Sequence, residues 1–189
     1  MRLLPAAGLA ILCALGAREA QSRVFMTQEQ AIKEAFPPPA TFERRTLYLD
    51  DAQARRAAES AGVPIEMRVV PYYVGTRDGR VIGYAYFDTH LVRTLPETVC
   101  VRLTAAGAIA AIDIVSFDEP DDYRVTPRWL EQFNGQAPED PRRMAGAIRS
   151  LSGATLSARA VTDAARRVIA IHRLFVQPPA AVAPGGGSP

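Results

Sequence analysis

The spacing of apolar positions changes character twice along this chain. Thr27-Gln28-Glu29-Gln30 has the form of a capping box, and the apolar residues Ala31, Ile32, Ala35 and Phe36 follow it before Pro37-Pro38-Pro39. This predicts a short helix that the prolines end. A second helix is expected from Asp50 or Asp51 to Ala61, in a stretch rich in Ala and Arg and stopped by Gly62 and Pro64. The period then becomes that of strands. Ile65 to Val74, Arg80 to Phe87, Glu97 to Leu103 and Ala108 to Phe117 are β-branched and aromatic runs, with turn material at Arg77-Asp78-Gly79 and Ala105-Ala106-Gly107. An antiparallel meander follows. In the second run Ile82, Tyr84 and Tyr86 alternate with Gly83, Ala85 and Phe87, so one face of the sheet is expected to be core.

Helical spacing returns after the last strand. A short helix is expected around Pro127 to Phe133, then a polar loop from Asn134 to Asp140, then a long helix from about Ser157 to Phe175. Leu156, Ala160, Ala164, Val168, Ile171 and Phe175 recur at intervals of four and three, giving that helix an apolar stripe with which to pack on the sheet. The fold class is therefore α+β: an antiparallel sheet of four or more strands packed against helices, including a C-terminal one.

The 189 residues suffice for one domain with a single core. At the start, Arg2 precedes an apolar run from Leu3 to Ala17, which reads as a signal peptide or N-terminal anchor over residues 1–22. The run is short for a membrane span, which takes about 20 residues. The domain itself is expected over 23–177. Residues 178–189 contain only Pro, Ala, Gly, Val and Ser, and are expected to be a disordered tail. Without Cys13 of the leader, Cys100 is the sole thiol, so no internal disulfide is available. A formal charge of +2 lacks the one-sided excess that many phosphate contacts demand, which argues against a nucleic-acid partner.

Chemistry is expected where Leu151-Ser152-Gly153-Ala154-Thr155-Leu156-Ser157 enters the last helix. Unpaired N–H groups and a partial positive charge make a helix N-terminus favourable for a phosphate. Gly153 and Ala154 leave the Thr155 hydroxyl accessible. The same residues also suit an ordinary helix entry, with Thr155 or Ser157 as N-cap and Gly153 in a tight turn. Other candidates are plainer. His90 and His172 have no ligand-like spacing, Cys100 reads as a buried inert thiol, and Asp118, Asp121 and Asp122 make at most a loose surface site for a cation. No metal centre is expected.

Ser152 to Val161 resembles the flavinylation motif of the FMN-binding domains related to the RnfG and NqrC subunits of bacterial ion-pumping redox complexes. In that family a flavin transferase uses FAD to attach FMN, through its phosphate, to the threonine that ends the S-G-A-T core, which corresponds to Thr155 here. The resemblance extends over roughly Val24 to Phe175. Ser116-Phe117-Asp118-Glu119-Pro120 is similar to the family's acidic turn, and Tyr123 with Trp129 to Phe133 to the segment after it. The cofactor-binding set it implies is Ser152, Gly153, Ala154, Thr155, Leu156, Ser157, Glu119 and Tyr123, whereas Trp129 and Phe133, four apart on a helix, read better as core. One position departs from the motif: six residues before Thr155, where an acidic residue is common, stands Arg149.

The resemblance implies an exported electron-transfer module, periplasmic or attached to the outer face of the inner membrane. Its partners would be a flavin transferase and membrane or periplasmic redox proteins. It would be an electron carrier rather than an enzyme, with flavin-dependent reductase activity as a further alternative. The rival from another class is an exported cofactor-free binding or assembly module that uses a sheet face around Tyr72, Tyr73, Tyr84 and Tyr86.

Overall fold

The computed structural model describes residues 23–177. The leader expected over 1–22 and the tail over 178–189 lie outside these residues. Strands β2 (Thr41–Tyr48), β3 (Val69–Arg77), β4 (Arg80–Leu91), β5 (Pro96–Thr104) and β6 (Ile109–Phe117) pair antiparallel in chain order, and the short β1 (Arg23–Val24) closes the other edge on β6. The turn between β3 and β4 uses Asp78 at φ 50° and Gly79 at φ 72°, the left-handed pair that tight hairpins favour.

Four of these strands fall on the expected runs, with β4 running on to Leu91 and β3 starting at Val69 rather than Ile65 and extending to Arg77. Strand β2 was not legible, because Glu43-Arg44-Arg45 interrupts any apolar alternation and most of the strand is exposed. It is an edge strand, and charge along an edge discourages pairing with other chains.

Two helical layers enclose the sheet. Helix α1 (Gln28–Ala35) starts with the anticipated capping box: the Gln30 N–H donates to Thr27 Oγ1 at 3.1 Å, and Gln30 Oε1 accepts from the Thr27 N–H at 2.7 Å. Its Ala31 and Ile32, with Phe36, pack over Ala85, Cys100 and Val115. On the opposite face α2 (Asp51–Ala61) and α5 (Thr155–Ile171) cover Tyr86, Val99, Val101, Leu103 and Ile112. Both faces of the sheet are thus core, where one was expected. On the α1 face the helix covers Ala85, Cys100 and Val115, while the larger Tyr73, Ile82 and Phe87 are only partly buried around it.

The tyrosines of the proposed binding face do not form one surface. Tyr72 stacks on Tyr86 at 5.5 Å beneath the α5 layer, while Tyr73 packs with Phe42 and Phe87 on the α1 side. Tyr86 is 1% exposed. Cys100 is completely buried, and desolvation pushes its thiol up to about 12, so it is chemically inert in the folded state.

Between β6 and α5 the chain makes a 3₁₀ turn (Asp121–Tyr123), helix α3 (Pro127–Leu130) with its own 3₁₀ extension (Glu131–Phe133), a second turn (Pro141–Arg143) and helix α4 (Met144–Ala147). Helix α5 begins two positions before the expected Ser157, and its phase differs from the expected stripe. Ala164, Val168 and Ile171 are buried as anticipated, but Leu156 is 49% exposed, and the sheet-facing rows also hold Ala158, Val161, Ala165 and Ile169. Alanines let a helix bury more than a narrow stripe, so large apolar residues alone did not reveal its inner face. A π-helical turn (His172–Val176) follows it.

Close approach fixes Gly75 of β3: a Cβ there would stand 2.1 Å from the Phe36 ring. Gly75→Ala is expected to destabilise the fold by about 1–3 kcal/mol through overpacking. Trimming the ring with Phe36→Leu in the same chain should make the added methyl less costly, as read by urea unfolding of the four members of the cycle.

Candidate functional site at the start of the last helix

Helix α5 has no side-chain cap. Its N-cap is Ala154, and the two hydroxyls able to serve are committed elsewhere: Thr155 Oγ1 donates to the Leu151 carbonyl at 3.2 Å, and Ser157 Oγ donates to the Tyr123 carbonyl. A helix of 17 residues therefore opens with its first N–H groups unclaimed by any side chain, at the positive end of its dipole. Gly153, at φ 86°, supplies the left-handed turn before it. A Cβ on Gly153 would meet nothing within 4 Å, so backbone conformation rather than space selects glycine there.

Thr155 is exposed and lies where two cavities meet the helix. The smaller, about 230 Å³, is bounded by Val92, Arg93, Tyr123 and the run Gly153 to Ser157. The other, about 400 Å³, lies towards Trp129, Ile148, Arg149, Arg159 and Arg166. Gly153, Ala154, Leu156, Ser157 and Tyr123 are thus brought together around Thr155. Ser152 is exposed beside this group without bounding either cavity, and Glu119 stands behind it.

Glu119 is buried, at 7% exposure, and acts on the far wall. Its Oε1 accepts from the N–H groups of Arg93, Thr94 and Leu95 at 3.3, 2.8 and 3.0 Å, and from the Thr94 hydroxyl at 3.3 Å. Burial alone would raise this carboxyl, but the converging donors hold it below the usual range. The anion thereby folds the β4–β5 loop over the site, and the Arg93 guanidinium rests 5.1 Å from the centre of the Tyr123 ring.

The opposite wall is held by Trp129. Its indole N–H donates to the Arg149 carbonyl at 2.6 Å, and Gln132 Oε1 accepts from the Arg149 N–H at 3.0 Å. Trp129 and Phe133 are 6% and 0% exposed and meet edge to face, which agrees with their reading as core. The backbone before Ser152 is therefore pinned from both sides.

Arg93 and Val92 were missed by sequence reasoning. They sit in a loop whose place is set by Glu119, about 25 residues away, and no local pattern announces such a pairing. The two histidines differ sharply. His172 Nε2 donates to Gln177 Oε1 at 3.0 Å, so its Nδ1 accepts from the Tyr86 hydroxyl at 2.9 Å. Burial and Arg173 press its imidazole towards the neutral form. His90 instead lies between two carboxylates.

Residues 95–170 match the family model of an FMN-binding domain. Comparison with curated proteins and with solved structures gave no match. The matched segment runs from the end of the β4–β5 loop through β5, β6 and almost all of α5, and contains Glu119, Tyr123 and Ser152 to Ser157. It supports a flavin-binding role with FMN as the cofactor. The site suits that group: a free helix terminus for a phosphate, an exposed hydroxyl beside it, and open space with apolar and cationic walls. No helix among the described residues is long and apolar enough to cross a membrane, and no cluster of His, Cys, Asp or Glu there suits a metal ion.

Replacing Glu119 by Ala leaves three loop N–H groups without their acceptor, at an expected cost of about 1–3 kcal/mol. Hydrogen exchange at Arg93, Thr94 and Leu95 should rise while that of β5 and β6 stays protected; unchanged protection in the loop would contradict the role given to this carboxylate.

Proposed function

We propose that this chain is an extracytoplasmic electron-transfer module, akin to the RnfG and NqrC group, that carries FMN as a phosphate ester on Thr155. The observation that carries the reading is the exposed Thr155 hydroxyl at an uncapped helix N-terminus, inside the segment that matches an FMN-binding domain. When bound, FMN supplies one- and two-electron transfer.

The chain's own residues hold and shield that group. The N–H groups opening α5 and the dipole behind them offset phosphate charge, and Arg93, Arg149 and Arg159 add cations around the rim. Leu156 and Tyr123 offer apolar surface. Attachment is assigned to a flavin transferase: the Thr155 oxygen bonds to the FMN phosphorus of FAD, the pyrophosphate linkage breaks, AMP departs and the hydroxyl proton passes to solvent. Thr155 Oγ1 needs to give up only one hydrogen bond, to a carbonyl four residues back in the chain, to react. Membrane or periplasmic redox proteins are the proposed donor and acceptor, and a tethered flavin would not be lost outside the cytoplasm.

Co-expression with a flavin transferase should give a mass increase of FMN minus water and ultraviolet-excited fluorescence on a denaturing gel. Both should vanish in Thr155→Ala. Persistence in that variant, or an unmodified and colourless wild type, would overturn the reading. Arg149→Asp is expected to raise the labelled fraction by restoring the acidic position of the motif.

A further inference from the structure

A second cluster of charge lies across the α5 ridge from Trp129. Asp88 of β4 and Glu97 of β5 are 2% and 0% exposed, and His90 stands between them. His90 Nδ1 is 2.8 Å from Asp88 Oδ1, and Nε2 is 3.1 Å from Glu97 Oε2. Both ring nitrogens face carboxylate oxygens, and with Asp88 and Glu97 both ionised the ring can donate to both only as the imidazolium; Glu97 Oε1 is buried with no hydrogen-bond partner of its own. Arg167 of α5 completes the group with a bidentate bond to Asp88 at 2.9 and 2.7 Å. In that charge state two cations balance two buried carboxylates, and a neutral His90 would leave one of them uncompensated. The other charged groups around it are Asp163 and Arg159 on α5 and Glu66 ahead of β3.

The cluster is not sealed in the interior. A groove of about 290 Å³ runs along its edge, bounded by His90, Leu91, Leu156 and Arg167 among others, and a neighbouring cavity reaches the same His90 and Arg167 from the Met67 side. The groove shares Val92 and Leu156 with the cavity at Thr155, so the two lie side by side. Leu91 and Leu156, 65% and 49% exposed, leave apolar surface along it.

Resting on the FMN reading above, we propose that His90 is a positioning residue that holds a proton in the wall of the flavin cleft and thereby makes reduction of the flavin pH-dependent. A proton on His90 keeps the wall neutral; its loss leaves one net negative charge there, which opposes the arrival of electrons nearby. Reduction in turn favours the protonated ring, so over one pH interval electron uptake from a donor redox protein is accompanied by one additional proton, taken from solvent onto His90. Burial would by itself lower the His90 pKa, but the bonds to Asp88 and Glu97 outweigh it and raise it above the ordinary 6.5. The interval therefore lies above that value.

The test has two parts. Nitrogen-15 NMR of the flavin-free protein, with His90→Gln for assignment, should show His90 mainly protonated on both nitrogens at pH 6.5 and His172 mainly neutral. The midpoint potential of the FMN-loaded protein should then steepen in its pH dependence around the His90 pKa, and the steepening should disappear in His90→Gln. Glu97→Gln, which keeps an acceptor without the charge, should move the interval to lower pH. A His90 that is mainly neutral at pH 6.5, or the same steepening in His90→Gln, would overturn the inference. Failure of the wild type to take up flavin contradicts the Thr155 reading, whereas a loaded protein whose potential ignores His90 contradicts this inference alone.

Discussion

The rotational setting of helix α5 governs the site. Ala158, Val161, Ala165 and Ile169 must lie against the sheet, because their burial holds the helix in place. With 3.6 residues per turn, that choice turns Thr155, Leu156, Arg159, Ala160, Asp163 and Arg167 outward. One ridge thus carries the hydroxyl proposed to bear FMN, the leucine beside it, and the arginine that reaches Asp88. A rotation that put Thr155 where Ala154 now stands would bury the hydroxyl and take it out of reach of a flavin.

A correctly phased helix does not make a site unless the loops around it are held. Glu119 gathers three N–H groups of the β4–β5 loop, and the Trp129 indole and Gln132 amide fasten the Arg149 backbone. Both devices use polar groups that would be costly to bury alone, so each loop is tied down where its own partner needs it. Asp88 follows the same logic: burial opposes its charge, but Arg167 and His90 hold its carboxyl down to about 2, and the pair also locks α5 to β4.

The meander, the capped α1 and the extent of α2 were legible because each rests on local pattern: alternation with turn residues, a box of four residues, and an Ala- and Arg-rich stretch stopped by glycine. Strand β2 was hidden because a charged edge strand draws its stability from β3 rather than from a buried face of its own. The inner face of α5 was only half legible, since alanines and a serine do much of its packing. At the site, the S-G-A-T segment announced itself through composition and resemblance. Arg93 and the Asp88–His90–Glu97–Arg167 group did not, because contacts across the sheet and between distant loops join them. A histidine with no ligand-like spacing proved to bridge two buried carboxylates, its partners set by strand register: His90 faces Glu97 directly across β4 and β5.

The central claim concerns a single oxygen atom. Trypsin cleavage after Arg149 and Arg159 releases Ser150 to Arg159, a peptide with four hydroxyls, at Ser150, Ser152, Thr155 and Ser157. Fragment-ion mass spectrometry of this peptide, from protein made alongside a flavin transferase, should place the FMN phosphate on Thr155 alone. A flavin found on one of the serines, or a peptide that stays unmodified throughout, would contradict the account.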